Sequence, residues 1–456
     1  MFIEWVLVMA YTTEVAKFGR IPTVFIELDM DFCALRSGVG ACTATQTGDD
    51  KCYNTYSTCN DKPNFDKTVK TYRFCEQNAD IPVGLSAIPL LKTVTFASQE
   101  ITPNKGLGVR GSVNVTLLDA PWPDTEIDPY FRERTYNTND LGTFWGKFRA
   151  RNLYYENRVL RVRRGYLTKS AFDWANFVNS VYVIDQLQCI TKDDGARIVA
   201  KDILKLADDK KALFPKPSNG VLSSNITNSA TSFTIEPSGI GSEYPASGKV
   251  VIGGEMMSFT RSSETFTVTR EVSNTVAEAH NAGDTVQLVG IFDAEKIQDV
   301  IYTLLTSYSS ISTDYIDKDA WDTEATTYLA GVWSAEIPEP TGINTLVGEL
   351  TEQGTCRIWW DEENQLIQFR AVKPLPEDLT VLSDDDHFLT NTIDVKTDTN
   401  QRISTVLVYY GQKKPTEKLD DVTNYPLRVA TPDLDAISTL ESVSYTHLTL
   451  PTKRIV

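Results

Sequence analysis

The sequence predicts an α+β, β-dominated multidomain chain, and three observations carry that expectation. Its 456 residues exceed what one ordinary hydrophobic core holds together. Short segments of period-two alternation, such as GVRGSVNVTLLDAP and RVLRVRRGYL, recur between Gly, Pro, Asn and Asp breaks. Helical spacing is confined to a few short stretches, and there is no coiled-coil heptad, strong internal repeat or long low-complexity tract.

The elements follow in order. Residues 1–8, within MFIEWVLVMA, lack the basic start of a signal peptide; they are expected to be a spurious N-terminal extension, with Met9 the natural start. Residues 9–216 form a β-rich unit with cysteine-bearing loops. Near its end VYVIDQLQCI is strand-like, Asp194 and Gly195 turn the chain, and Ile198, Ile203, Leu204 and Leu206 suggest one helical face before Pro215. Residues 217–289 shift to Ser, Thr and Gly, where SATSFTIEP, GKVVIGGEMMSFTR, SETFTVTREV and DTVQLV predict an inserted small all-β module. Residues 290–441 predict a second α+β unit. In it, Asp293 would cap a helix carrying Ile297, Val300, Ile301, Leu304 and Leu305. A second helix runs from Thr341 to about Gln353, with Ile343, Leu346, Val347 and Leu350 inward and Gly354 as its cap. CRIWWDEENQLIQFRAV reads as a hairpin turning at Asp361 to Gln365, and Thr390 to Gly411 adds two more strands. Residues 442–456 are set apart: VSYTHLTLPTKRIV resembles the frame translation of a transposase adaptor used in sequencing libraries, so the gene is expected to be truncated near Ser442.

Charge and motif content narrow the function. A net charge of −17 opposes sequence-independent adhesion to nucleic acid unless a basic patch overrides it. The candidate patch, KFRARNLYYENRVLRVRR from Lys147 to Arg164, reads instead as polar residues on the solvent face of strands, since VLRVRR alternates. No run approaches the roughly 20 apolar residues of a membrane span. Among His280, His387 and His447 none has the neighbourhood of a catalytic base. GxSxG, HExxH, a Walker loop and a dinucleotide fingerprint are all missing, which argues against an enzyme. Asp384 to Asp386 read as a solvated turn, because consecutive carboxylates repel and lack the alternate spacing of a calcium loop.

The cysteines are the informative feature. Eight residues separate Cys33 from Cys42, nine separate Cys42 from Cys52, six separate Cys52 from Cys59, and Cys75 follows after fifteen. Cys189 and Cys356 stand alone in apolar runs as buried thiols. Disulfides would leave one of the five clustered cysteines over, and no signal peptide supports secretion. Zinc favours closer pairs than these. An iron–sulfur cluster tolerates varied loop spacing, and spacing alone leaves all three open.

FIELDMDFCALRSGVGAC…KCYNTYSTC resembles the cysteine motif of phage tail-tip proteins, the family of minor tail protein L of lambda-like phages and of gene transfer agent hub proteins. That resemblance implies a [4Fe-4S] cluster of structural role, with zinc the less favoured metal, held by Cys33, Cys42, Cys52 and Cys59. The segment between the pairs is short here, and Cys75 in TYRFCEQ is an additional thiol able to substitute for one ligand. It further implies β-barrel-like tail hub domains in a virion component assembled in the bacterial cytoplasm. The hub is a homo-oligomeric ring, a trimer by analogy, which closes the tail tube. Its partners would be distal tail and tape-measure proteins and host-contacting fibre or receptor-binding proteins, with the genome sliding through an acidic lumen. PASGKVVIGGEMMSFT, TVTREV and AEAHNAGDTV are similar to a β domain of tail and fibre proteins. Two alternatives stand beside this: a glycan-binding or glycan-cleaving tail fibre, leaning on the module and on Trp145 or Trp333, and an iron–sulfur redox enzyme.

Overall fold

The computed structural model describes residues 11, 13, 15–48, 50–81, 84–100, 107–135, 142–167, 172–189, 195–208, 210–373, 383, 388, 404–418, 421–432 and 444–448. Residues 1–8, Asp194, Asp384 to Asp386, His387 and residues 390–403 of the stretch from Thr390 to Gly411 expected to add strands lie outside the described residues. The fold is β-rich, with several sheets and more than one core.

Seven strands of the first unit are β1 (Ile21–Cys33), β2 (Lys67–Glu76), β3 (Ile88–Ala97), β4 (Ser112–Leu117), β5 (Val159–Leu167), β6 (Phe177–Cys189) and β7 (Ala196–Lys201). They close in the order β1-β2-β3-β4-β7-β6-β5, antiparallel except for β2 beside β3. Period-two alternation sends Ile26, Leu28 and Met30 of β1 inward to meet Phe74, Val115, Val162 and Ile198. Helix α1 (Phe144–Arg151), capped by the Thr143 hydroxyl, adds Phe144, Trp145 and Phe148 to this core. Trp145 stacks on Phe74 and its indole N–H donates to the Leu118 carbonyl, so it is a core residue, not the exposed aromatic a glycan site would need.

Ile198 also departs from expectation. It lies in β7, not on a helix, because its inward side chain completes the ring between β4 and β6; a short 3-10 turn, Ile203–Asp208, follows. Arg161 and Arg163 of β5, and Arg158 just before it, are likewise not a free solvent face, whereas Arg164 is exposed. Glu27, Asp29 and Asp31 occupy the outer face of β1, and Arg163, Arg161 and Arg158 reach across to them in turn. Arg73 of β2 adds a second ion pair to Glu27 at 2.7 Å. Glu27 is 2% exposed, so these charges are matched and half-buried rather than displayed to nucleic acid.

After β8 (Leu213–Phe214) comes the module: β9 (Val221–Leu222), β10 (Ser232–Glu236), β11 (Ser247–Ile252), β12 (Glu255–Ser262), β13 (Thr265–Thr269) and β14 (Gln287–Leu288). They form one sheet in the order β14-β11-β12-β13-β10-β9 around Phe233, Tyr244, Phe259 and Phe266. The buried Glu255 binds Arg270 through both carboxylate oxygens and meets His280 Nε2 at 3.0 Å. His280 is therefore a structural partner within a sheet.

The next unit pairs β15 (Gly290–Lys296) with β16 (Val332–Ile337), and β17 (Thr341–Gly342) with β8. Its helices are α2 (Ile297–Ser307), α3 (Lys318–Tyr328) and α4 (Ile343–Gln353), and its hairpin is β18 (Cys356–Asp361) with β19 (Leu366–Ala371). Asp293 does not cap α2: it sits in a bulge of β15 between Phe292 and Glu295, pairing with β16 resumes at Glu295 and Lys296, and the helix starts only at Ile297. The residues expected on the buried faces of α2 and α4 are buried as expected, and Gly354 ends α4 where a Cβ would lie 1.9 Å from Ile297. Ile203, Leu204, Leu206 and Phe214, which the sequence grouped with the first unit, join this core. A three-stranded sheet follows, with β20 (Thr405–Tyr410) between β21 (Leu427–Pro432) and β22 (Ser444–Leu448). Thus part of the stretch set apart from residue 442 pairs, in parallel, with β20. No described helix is long and apolar enough to cross a membrane.

Candidate metal centre

The segment from Cys33 to Asp66 leaves the end of β1 and returns as β2. It has little apolar material. Its small core is Cys42, Ala44 and Cys52, with Leu35 packed against them. Gly38 and Gly40 take φ of +72° and +65°, the left-handed region that glycine enters without a Cβ penalty, and so SGVGAC coils tightly between the first two cysteines. Two short 3-10 turns, Tyr56–Thr58 and Lys62–Asn64, bring Cys59 back towards them.

Cys33, Cys42, Cys52 and Cys59 are all buried and none is in a disulfide. Burial pushes the Cys52 thiol above its ordinary value and the charges of Cys59 and Cys42 add to this, while the Asn54 amide, donating to the sulfur at 3.4 Å, works the other way. Burial also raises Cys59, opposed by the Asp61 amide and reinforced by the charges of Cys33 and Cys42. The local pattern repeats: Cys52-Tyr53-Asn54 and Cys59-Asn60-Asp61 each turn the amide two residues on towards the cysteine sulfur.

Cys75 lies elsewhere. The β1–β2 register sets Cys33 against Lys67 and Ile26 against Phe74. Cys75 therefore falls beside Phe25, a strand distance of about 26 Å from Cys33 at about 3.3 Å per residue. It packs with Phe25, Leu167 and Phe177, and burial, with a smaller push from Glu76, raises its thiol to about 11. This position does not let Cys75 substitute for any of the four. Burial raises the isolated thiols Cys189 and Cys356 to about 11 and about 12, as suits thiols that pack in a core.

Among the described residues, no group of three or more His, Cys, Asp or Glu is placed to hold a metal ion. A single tetrahedral ion at about 2.3 Å from each sulfur draws four thiolates to about 3.8 Å of one another. A polynuclear cluster sets its thiolates farther apart, because each binds a different iron. The four sulfurs are buried, and the Asn54 amide donates to Cys52 Sγ at 3.4 Å.

A distant segment clamps the loop. Arg134 pairs with the buried Asp128, donates to the Cys52 carbonyl and lies 4.5 Å over the Tyr53 ring. Arg151 of α1 binds Asp124 with both terminal nitrogens and lies 3.8 Å from the Tyr53 ring centre. Cys59 borders an open groove of about 560 Å³ between this loop and α1, with Lys51, Tyr53, Ser57, Lys147 and Arg151 also lining it.

Neither a protein-family model nor a curated protein matches the sequence. Among solved structures, a similar one is the prophage tail protein gp18 from Listeria monocytogenes EGD-e, at 10% identity and a TM-score of 0.26. The match covers 65% of this chain and 64% of that one, so this chain spans less than two thirds of that protein's length. A likeness of that size carries no argument about function.

Asn54, Tyr130 and Arg134 belong to the site yet were not among the residues the sequence singled out. The repeated Cys-x-Asn and Cys-x-Asp spacing was a signal for Asn54. Nothing local marks Tyr130 or Arg134, which arrive from more than seventy positions away.

Proposed function

We propose that this chain is a structural component of a phage tail tip, a hub whose loop beyond β1 holds a [4Fe-4S] cluster through Cys33, Cys42, Cys52 and Cys59. The observation that supports this reading is the burial of all four thiols at and just beyond the end of β1, with Cys42 and Cys52 in one small core. When bound, the cluster would supply covalent crosslinks between four points of a loop that has almost no apolar core. The residues around it do the remaining work. Tyr53 is held between two arginines, Asp61 accepts from the Thr43 amide at 2.7 Å, and the Gly38 and Gly40 turns present Cys42 inward.

As a hub the chain would assemble into a trimeric ring with tail-tube partners. Its acidity would let the genome pass without adhering, and the pairing of Arg158, Arg161 and Arg163 with β1 carboxylates supports this by neutralising three of the basic side chains between Lys147 and Arg164. Glycan binding is less well supported, since Trp145 is buried and Trp333 half-buried against the α+β core. Mass photometry of anaerobically purified protein, alone and with tail-tube and distal tail proteins, tests the reading. Trimers of the 50.9 kDa chain, or a ring formed on the tube, are expected. A monomer indifferent to tail proteins that binds host polysaccharide would replace it with the fibre reading.

A further inference from the structure

We infer that Asn54 is the positioning residue of the cysteine site, fixing Cys33 and Cys52 against each other before any cofactor arrives. The inference rests on the reading of the four cysteines as one cofactor site, and concerns what shapes it.

Every polar group of Asn54 is engaged. Its main-chain carbonyl accepts from the Cys33 amide at 2.8 Å, and its own amide donates to Cys52 Sγ at 3.4 Å. The side-chain Nδ2 donates to the carbonyls of Cys33 (3.1 Å) and Leu35 (3.0 Å). Oδ1 accepts from the Tyr130 hydroxyl at 2.6 Å, and that hydroxyl in turn accepts from the Ser37 amide at 2.7 Å. This fixes the orientation of the amide: two carbonyls can only accept, and Tyr130, having taken the Ser37 proton as acceptor, has its single proton left for Oδ1. Oδ1 also accepts from the Cys52 thiol at 3.8 Å, so one 7%-exposed side chain joins the first cysteine, the third cysteine and the segment around Tyr130.

The backbone makes the choice of residue narrow. Asn54 has φ +58°, a conformation that glycine adopts freely and asparagine and aspartate tolerate better than other residues. Aspartate would set a carboxylate oxygen against the Cys33 and Leu35 carbonyls. Glycine would keep both the turn and the amide bond to Cys52 while removing only the side-chain clamp. Asn54→Gly is therefore a clean test, with Tyr130→Phe as a second variant that removes the two hydrogen bonds of that hydroxyl, to Asn54 Oδ1 and from the Ser37 amide, and leaves the backbone untouched.

The metal-free full chain, with far-UV circular dichroism showing it folded, is treated with iodoacetamide and each cysteine followed by peptide mass spectrometry. In Asn54→Gly, alkylation of Cys33 and Cys52 is expected to accelerate about tenfold, the loss of roughly one well-made buried hydrogen bond, and by more than at Cys42 or Cys59, with Cys75 unchanged. Tyr130→Phe should move the same two cysteines by less. A general loosening would raise all four alike; equal acceleration, or none, would overturn the inference. After anaerobic loading with iron and sulfide, release of iron to a chelator should be faster from Asn54→Gly than from wild type, and equal rates would also count against it. If wild type takes up no iron and sulfide, the proposed function fails, while the alkylation pattern still decides the role of Asn54.

Discussion

The cysteine loop and the six-stranded module solve the same problem by opposite means. Each is a Gly-, Ser-, Thr- and Asn-rich stretch that must lose chain entropy to hold one shape. The module does so with an ordinary apolar core of Phe233, Tyr244, Phe259 and Phe266, with rings packed face-on and edge-on. The loop buries Ala44 and four thiols, and otherwise relies on hydrogen bonds and two arginine clamps. Similar composition therefore does not imply similar stabilisation. Where apolar burial is missing, convergent thiols are the natural place for a crosslinking cofactor.

The largest expected effect breaks the loop without touching the module. Cys52→Ser should abolish iron and sulfide uptake and make residues 34–66 the first site of limited proteolysis, with the module's fragments still protected. Next, Phe266→Ala should cost about 3–5 kcal/mol in a denaturant titration of the module's transition while leaving iron per chain unchanged. A drop in iron there would mean that the two regions are not separable.

The smaller effects sharpen the contrast. Burial acts to raise the Glu255 carboxyl, but Arg270, the Glu278 amide and His280 together outweigh it and hold its pKa below the ordinary glutamate value of 4.5. A lowered folded-state pKa means that the stabilisation is fully present above about 4.5 and is lost as pH falls through the lower folded value. The module of wild type should thus weaken in that acid window, and Glu255→Gln should flatten that part of a melting-temperature profile. Cys75→Ala should have the least effect, about 1 kcal/mol from a small cavity with iron content unchanged. Loss of iron in that variant would return Cys75 to the ligand set.

Much of the fold was readable because local and global preferences agree. The buried residues of α2 and α4 recur at helical spacing, and the 356–371 hairpin alternates around an Asp361 turn whose carboxylate accepts from the Glu363 and Asn364 amides. Reading failed where a tertiary partner decides. Asp293 looks like a cap until the β15–β16 pairing, which resumes at Glu295 and Lys296, moves the helix start beyond it, and Ile198 looks helical until β4 and β6 flank it. The arginines of β5 carry no mark of the carboxylates more than a hundred residues earlier that neutralise them. In the site, cysteine spacing and resemblance pointed to four residues, but the position of Cys75 depends on strand register, which spacing alone does not contain.

Chemical analysis of iron and acid-labile sulfide in anaerobically purified protein bears most directly on the role of Cys33, Cys42, Cys52 and Cys59. Brown protein with about four iron and about four sulfide per chain is expected, unchanged in Cys75→Ala and lost in Cys52→Ser. Colourless protein holding stoichiometric zinc and no sulfide, or disulfides among the four, would contradict it.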